Sequence, residues 1–222
     1  IYAALYQAAA KKWRKAGAVS HAICLYEHDE EAKQQLFRYG FGMRCVDAIR
    51  PMETIDCVVC GGYEFLELPK EDYAYVYPLH LALNEHYCSS PFFMNRKPDT
   101  LEEFLDFSER NKERYFAAKI GGELCAYLEV SDQGETFIAS GNLYRHIMGA
   151  YCMPEHRGRG VYKNLLNYVI NTLKTEGYTR LGVDFESINP SGSGFWLKFF
   201  HAYTNGVVRR IDERIMQRAS LI

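Results

Sequence analysis

Apolar residues recur along this chain with two periods, and helical and extended segments alternate accordingly. Helical spacing marks Tyr2 to Lys15, Glu30 to Tyr39 with Gly40 as its stop, Glu71 to Cys88 interrupted or bent at Pro78, and the run Leu165, Leu166, Val169, Ile170 and Leu173. Pro98-Asp99-Thr100 opens a further helix to about Arg110, with Asp99 or Thr100 as its cap and acids in its first turn, and Ser193 to Ala202 is read as the last one. Short alternating or continuous apolar runs predict strands at His21 to Tyr26, Met43 to Arg50, Tyr63 to Leu68, Arg114 to Ile120, Leu124 to Val130, Tyr144 to Met153, Arg180 to Phe185 and Val207 to Met216. Gly121-Gly122 between two of them signals a tight hairpin. The alternation predicts an α/β (α+β) chain with a mixed, twisted sheet flanked by helices.

Composition narrows the class without naming a function. The 222 residues are 48% apolar and 14% aromatic, enough for one large core or two small ones. A formal charge of −2 offers no broad basic surface, so nucleic acid is not an expected partner. No run of about 18 uncharged apolar residues appears and no secretory pattern opens the chain, so no membrane partner is expected and the cytoplasm is the expected location. Seven scattered cysteines suit reduced thiols better than a disulfide framework. Cys57-Val-Val-Cys60 is a lone CxxC, read first as buried strand and second as a metal or redox site.

One stretch carries chemistry. In Tyr151-Cys-Met-Pro154-Glu-His-Arg157-Gly158-Arg159-Gly160-Val161-Tyr162 an apolar strand breaks at a proline, crosses a turn rich in glycine and arginine, and becomes a helix. Gly158 and Gly160 let the backbone turn tightly, so amides at the helix start can face an anion, and Arg157 and Arg159 add charged donors.

This stretch resembles the acyl-CoA-binding motif of the GNAT N-acetyltransferase superfamily, whose pattern is Arg or Gln, two residues, Gly, one residue, then Gly or Ala. Arg157 and Gly160 fill the first two positions, and Tyr162 stands where the family usually has a small residue. Cys152-Met153-Pro154 matches the strand ending, Val183-Asp-Phe185-Glu-Ser-Ile-Asn189 resembles the next strand with its terminal Asn, and Gly194 to Phe200 resembles the following helix. The resemblance implies splayed central strands beside the glycine turn. It implies acetyl-CoA as cosubstrate, with Tyr151 and Met153 holding its pantetheine arm, the segment Arg157, Gly158, Arg159, Gly160, Val161 and Tyr162 holding its pyrophosphate, and Asn189 touching the arm. No metal is implied.

A displacement of 160 positions places Leu5 on Leu165, Gly17 on Gly177, Ile23 on Val183, Asp29 on Asn189 and Arg50 on Arg210 without gaps. Residues 1–56 are therefore expected to be the back half of a first GNAT-like module and 57–222 a complete one, with sequence missing ahead of Ile1.

The resemblance implies transfer of an acetyl group to a primary amine of a small molecule or peptide, with a homodimer as an assembly it allows. The expected catalytic residues are Glu186 as base and Tyr203 as acid. Asp184, Glu129 and His146 are alternative bases, and Trp196 occupies the position where relatives often carry the acidic tyrosine. Tyr73 to Phe93, crowded with aromatic side chains, sits where the acceptor is expected, although packing accounts for most of them. The rival reading is a catalytically degenerate module that binds acyl-CoA as a sensor or structural partner.

Overall fold

The first helix, α1 (Tyr2–Lys15), leads to β1 (Ser20–Tyr26), α2 (Glu30–Arg38) and β2 (Gly42–Pro51). These bounds lie within two residues of those the periodicity predicts. The computed structural model describes residues 1–132, 134 and 141–220. It divides the chain into two compact units, Ile49–Asp184 and the pair of segments Ile1–Ala48 and Phe185–Ile222.

The unit that holds the chain's beginning is built on strands in the order β1, β8, β2, with α6 (Pro190–Trp196) leading to β8 (His201–Arg210). β1 runs antiparallel to β8 from Ser20↔Arg210 to Tyr26↔Thr204. Asp29 caps α2 by accepting from the Ala32 amide at 3.0 Å, with Glu30 and Glu31 in the first turn where the helix dipole favours them. Tyr6, Leu25, Ala32, Leu36, Phe41 and Val207 form its apolar core.

The other unit orders its strands β7, β6, β5, β4, β3, from β7 (Arg180–Glu186) through β6 (Tyr144–Cys152), β5 (Glu123–Ser131) and β4 (Arg114–Ile120) to β3 (Tyr63–Glu67). All neighbours pair antiparallel except β6 and β7, which are parallel, so the sheet is mixed. Gly121 and Gly122 take φ of 58° and 89° and close the β4–β5 hairpin, a conformation that side chains with a Cβ resist. The parallel pair needs a crossover, and α5 (Val161–Thr175) supplies it. Its Val161, Leu165, Leu166, Val169, Ile170 and Leu173 are almost wholly buried, each contributing about 2 kcal/mol of apolar transfer. Arg114 on β4 clamps Glu67 on β3 and Glu176 just past α5, each through two N–H···O bonds of 2.7–2.8 Å.

The helical stretch expected from Glu71 to Cys88 is interrupted next to Pro78: a 3-10 turn at Lys70–Val76 gives way to α3 (Tyr77–Cys88), and Pro78 lies in the first turn of α3, where its missing N–H costs no hydrogen bond. Three other expectations are corrected. The last helix begins at Pro190, capped by Asn189, and ends at Trp196 rather than running to Ala202. The closing strand consequently spans His201–Arg210 instead of Val207 to Met216; Gly206 within it faces Cys45, whose Cβ would lie 3.4 Å from an added Cβ, so this glycine serves close strand packing. Finally, Cys57 to Cys60 forms no strand.

Helix α4 (Leu101–Arg110) starts on a full capping box, in which Thr100 accepts from the Glu103 amide and Glu103 accepts from the Thr100 amide. Thr100→Ala should therefore cost about 1 kcal/mol of stability, read as a lower urea midpoint at unchanged slope.

Candidate functional site

The opening of the sheet is set by one extra residue. Opposite the Glu129–Val130 step of β5, strand β6 contributes Gly149 and Ile147 as register partners, leaving Met148 unmatched as a bulge. A bulge bends its strand and sharpens the local twist. Pairing of β6 with β7 runs from Tyr144↔Arg180 to Ile147↔Val183 and ends there, one residue before the bulge. β6 continues to Cys152 with β5 on one edge only among the described residues. The expected splay is present: beyond Ile147 no strand among the described residues pairs with that edge of β6.

A buried network fixes where the splay begins. His146 Nε2 lies 2.7 Å from Asp184 Oδ1, bridging β6 to β7, and the other ring nitrogen meets the Tyr144 hydroxyl. Gly182, register partner of His146, makes this possible, because a Cβ there would strike both Tyr144 and His146. His146 and Asp184, two candidate bases from the sequence, thus hold each other at the fork.

Glu129 occupies the opened part. It stands opposite Gly149 in the register, and a Cβ on Gly149 would collide with its carboxylate and come within 3.3 Å of the Tyr127 ring. The glycine lets the carboxylate lie across β6 immediately after the bulge. Burial first, then the charge of Glu113, pushes the Glu129 carboxyl up to about 8, against a hydrogen bond from Tyr115 that favours the ionised form. Glu113, also buried, is raised to about 7. Tyr115 shares a 2.8 Å hydrogen bond with Ser108, and the buried Tyr127 hydroxyl has no hydrogen-bond partner among the described residues. Burial holds the Tyr127 and Tyr162 phenols well above their ordinary value, so both stay protonated.

The glycine corner lies where β6 hands over to α5. Gly158 and Gly160 take φ of 74° and 80°, left-handed values that an L side chain rarely adopts. Gly160 is the N-cap of α5, no side chain caps the helix, and the first intrahelical bond joins the Asn164 amide to the Gly160 carbonyl at 3.0 Å. The amides of Gly158, Arg159, Gly160 and Val161 precede that bond, and the turn from Gly158 to Gly160 is exposed, which suits an anion. Arg157 folds back, its Nε donating to the Cys152 carbonyl at 2.8 Å and its guanidinium 5.4 Å from the Tyr151 ring centre, while Arg159 is exposed. Tyr162 turns inward from the corner and donates to the Tyr127 carbonyl at 3.2 Å. Its ring therefore leaves the turn itself to backbone.

The remaining expected residues divide between the units. Tyr151 is half-buried and pairs with Tyr127, whereas the Met153 amide is committed to the Cys125 carbonyl at 2.9 Å and its carbonyl accepts from His156. In the other unit, Asn189 spends its side chain capping α6, accepting from the Gly192 amide at 2.9 Å. Glu186 faces Arg44 at 3.6 Å, and the Tyr203 carbonyl accepts from the Glu27 amide. Of the aromatic segment expected near the acceptor, Tyr73 and Phe92 are core residues and Tyr75 and Phe93 are exposed. Sequence reasoning named Glu129 only as one of several carboxylates; the glycine at its cross-strand position was the signal that singles it out.

A sequence profile described as acetyltransferase (GNAT) family matches residues 80–201. No curated protein sequence matches the chain. Among solved structures, a GCN5-related N-acetyltransferase from Sphaerobacter thermophilus superposes with a TM-score of 0.64 at 12% identity, covering 93% of this chain and 67% of that one. A functionally unknown conserved protein from Staphylococcus epidermidis gives 0.53 at 7% identity over 93% of this chain and 79% of its own. A ribosomal-protein-alanine N-acetyltransferase from Brucella melitensis biovar Abortus gives 0.50 at 14% identity over 64% and 92%. At these identities the likeness is one of fold.

The buried carboxyl has a measurable effect on stability. Below about pH 4.5 Glu129 is protonated in both folded and unfolded chains; between there and about 8 the unfolded chain loses its proton first, so stability falls, and above 8 the full penalty is present. Glu129→Gln should be more stable than the parent by about 1–3 kcal/mol at pH 9 and by much less at pH 4, measured by urea unfolding at both.

Proposed function

Because the chain belongs to the acetyltransferase (GNAT) family, we propose that it transfers an acetyl group from acetyl-CoA to a primary amine of a small molecule or peptide. The observation that carries this reading is the Glu129 carboxylate lying across the opened part of β6, in the same compact unit as the uncapped glycine corner of α5.

The residues suit the cosubstrate in two respects. The backbone amides of the exposed turn Gly158 to Gly160, reinforced by Arg159 and by Arg157 after a side-chain rotation, match a pyrophosphate in charge and donor type. The open edge of β6 from Met148 to Tyr151 offers strand-like backbone partners to the amide groups of a pantetheine arm. In this proposal the arm lies beside Met148 to Tyr151 rather than on Met153, whose backbone groups are already engaged. When bound, acetyl-CoA supplies an activated acyl group on sulfur.

What the chain must add is a proton acceptor, because an amine is mostly protonated at neutral pH and cannot form a C–N bond until a proton leaves. Glu129, with its carboxyl raised to about 8, holds that proton well enough to remove it and weakly enough to release it again. The base role expected of Glu186 passes here to Glu129. The proposed organisation also keeps residues 1–56 as the back half of a related module. Supporting it, β1 at Ser20–Tyr26 and β7 at Arg180–Glu186 share their bounds after the 160-position shift, and the caps Asp29 and Asn189 each accept from the amide three residues on.

Titration calorimetry with acetyl-CoA should give saturable binding, and an amine panel followed by free-thiol release should reveal turnover. Turnover should rise with pH through about 8 in kcat/KM, and Glu129→Gln should lower kcat about 100-fold or more and remove that limb, with Glu186→Gln and Tyr203→Phe measured alongside. Saturable binding without turnover of any amine would overturn the catalytic half and leave an acyl-CoA binder. Arg157→Ala with Arg159→Ala should weaken acetyl-CoA about tenfold and leave a pantetheine analogue lacking pyrophosphate unaffected.

A further inference from the structure

Cys57 and Cys60 lie on a strap that crosses the start of α5, and both thiols are engaged by it. Cys57 Sγ donates to Asn164 Oδ1 at 3.6 Å and Cys60 Sγ donates to the Arg159 carbonyl at 3.1 Å. The Asn164 amide nitrogen reaches Cys60 Sγ at 3.2 Å, the Val58 carbonyl at 3.0 Å and the Gly160 carbonyl at 3.0 Å. Asn167, one position before the next turn of the helix, takes the Ile55 amide at 2.8 Å and donates to Cys57 Sγ at 3.5 Å. Two sulfurs thus sit at opposite ends of one carboxamide. Cys60 also covers the corner directly, since an added Cβ on Gly160 would lie 3.3 Å from its sulfur.

We propose that Cys57 and Cys60 form a reversible intrachain disulfide that releases this strap and loosens the anion-binding corner. The effect on acyl-CoA affinity rests on the functional reading above; the bond and the loosening do not. All seven cysteines are free thiols in this structure, Cys57 and Cys60 are partly exposed, and Val58 and Val59 between them are 89% and 83% exposed, so a small oxidant can approach. Among the described residues no group of three or more His, Cys, Asp or Glu stands where it could hold a metal.

The chemistry balances with a low-molecular-weight disulfide as oxidant. One deprotonated cysteine attacks RSSR, forming a mixed disulfide and expelling RS⁻; the second cysteine thiolate attacks the protein sulfur of that bond, closing Cys57–Cys60 and expelling a second RS⁻. The two protein sulfurs are oxidised, both RS groups are reduced, and the two thiol protons end on the released RSH. A disulfide sulfur has no hydrogen to donate. Closure therefore removes both thiol bonds at once, to Asn164 and to the Arg159 carbonyl, and draws the sulfurs to about 2 Å from each other. The Arg159 carbonyl lies between the two left-handed glycines, so its loss of a partner is felt in the turn that presents the amides.

The full chain is incubated with oxidised glutathione and compared with the reduced chain by peptide mass mapping, by hydrogen exchange of the 158–164 amides and by acetyl-CoA calorimetry. A Cys57–Cys60 bridge, faster exchange in that segment and about tenfold weaker binding, all reversed by dithiothreitol, are expected. Cys57→Ser with Cys60→Ser should give one affinity and one exchange rate with and without oxidant; a persisting response would assign it to another cysteine and overturn the proposal. So would the absence of a bridge, or a bridge that leaves exchange unchanged. If the bridge forms and exchange quickens while the reduced chain binds no acetyl-CoA, the switch stands and the acyl-CoA reading falls.

Discussion

The contact between Gly149 and the Glu129 carboxylate is the constraint on which the site depends. β6 must pair with β5 along its length to keep the sheet, yet part company with β7 to open an edge, and a single unmatched residue, Met148, meets both demands. Placing the bulge there brings the next residue opposite Glu129. Only a residue without Cβ leaves room for the carboxylate at that point, so the bend of the strand, the opening of the edge and the position of the base are one local arrangement. The His146–Asp184 bridge, with Gly182 beneath it, is the counterpart on the other side, holding the strands together up to the fork.

This arrangement costs stability and is compensated elsewhere in the same unit. A buried carboxyl opposes folding wherever it ionises: burial and then the charge of Glu113 raise Glu129, and burial and then the charge of Asp132 raise Glu113. The compensation is apolar and charged at once: the buried face of α5 covers the sheet, and Arg114 ties β3, β4 and the end of α5 together through paired bonds to Glu67 and Glu176. A rigid frame with an unfavourable carboxyl at its opening is what a proton acceptor working near neutral pH requires.

Much of this was legible in the sequence, for identifiable reasons. α1 and β4 have the bounds the periodicity predicts, because their patterns are long and their ends carry clear stops. Gly121-Gly122 and the glycines of the corner were readable since left-handed backbone has few alternatives to glycine. Elements with mixed signals failed. The segment from Ser193 to Met216 places Asn205-Gly206 inside a strand, against local propensity, and strand pairing with β1 overrode it. Glu129 remained one carboxylate among several, because its selection depends on which residue faces it across the sheet, and register is not a local property. The meeting of Cys60 with Gly160 was out of reach for the same reason: a separation of 100 positions is closed only by the fold.

The 160-position correspondence shows what distinguishes an element order from a site. α1 and α5 are followed by strands with matching bounds and by helices capped in the same way, yet α1 buries one residue, Tyr6, whereas α5 buries seven. A helix that is half of a core can hold its own start fixed, so the strain of two left-handed glycines and the absence of a side-chain cap are tolerated there. A helix anchored by one tyrosine has no such reserve. The corner of α5 therefore belongs to the packing of Val161 to Leu173 as much as to its glycines: the buried face fixes where the helix begins, and only then does a turn of Gly-Arg-Gly present its amides to an anion rather than to solvent at large.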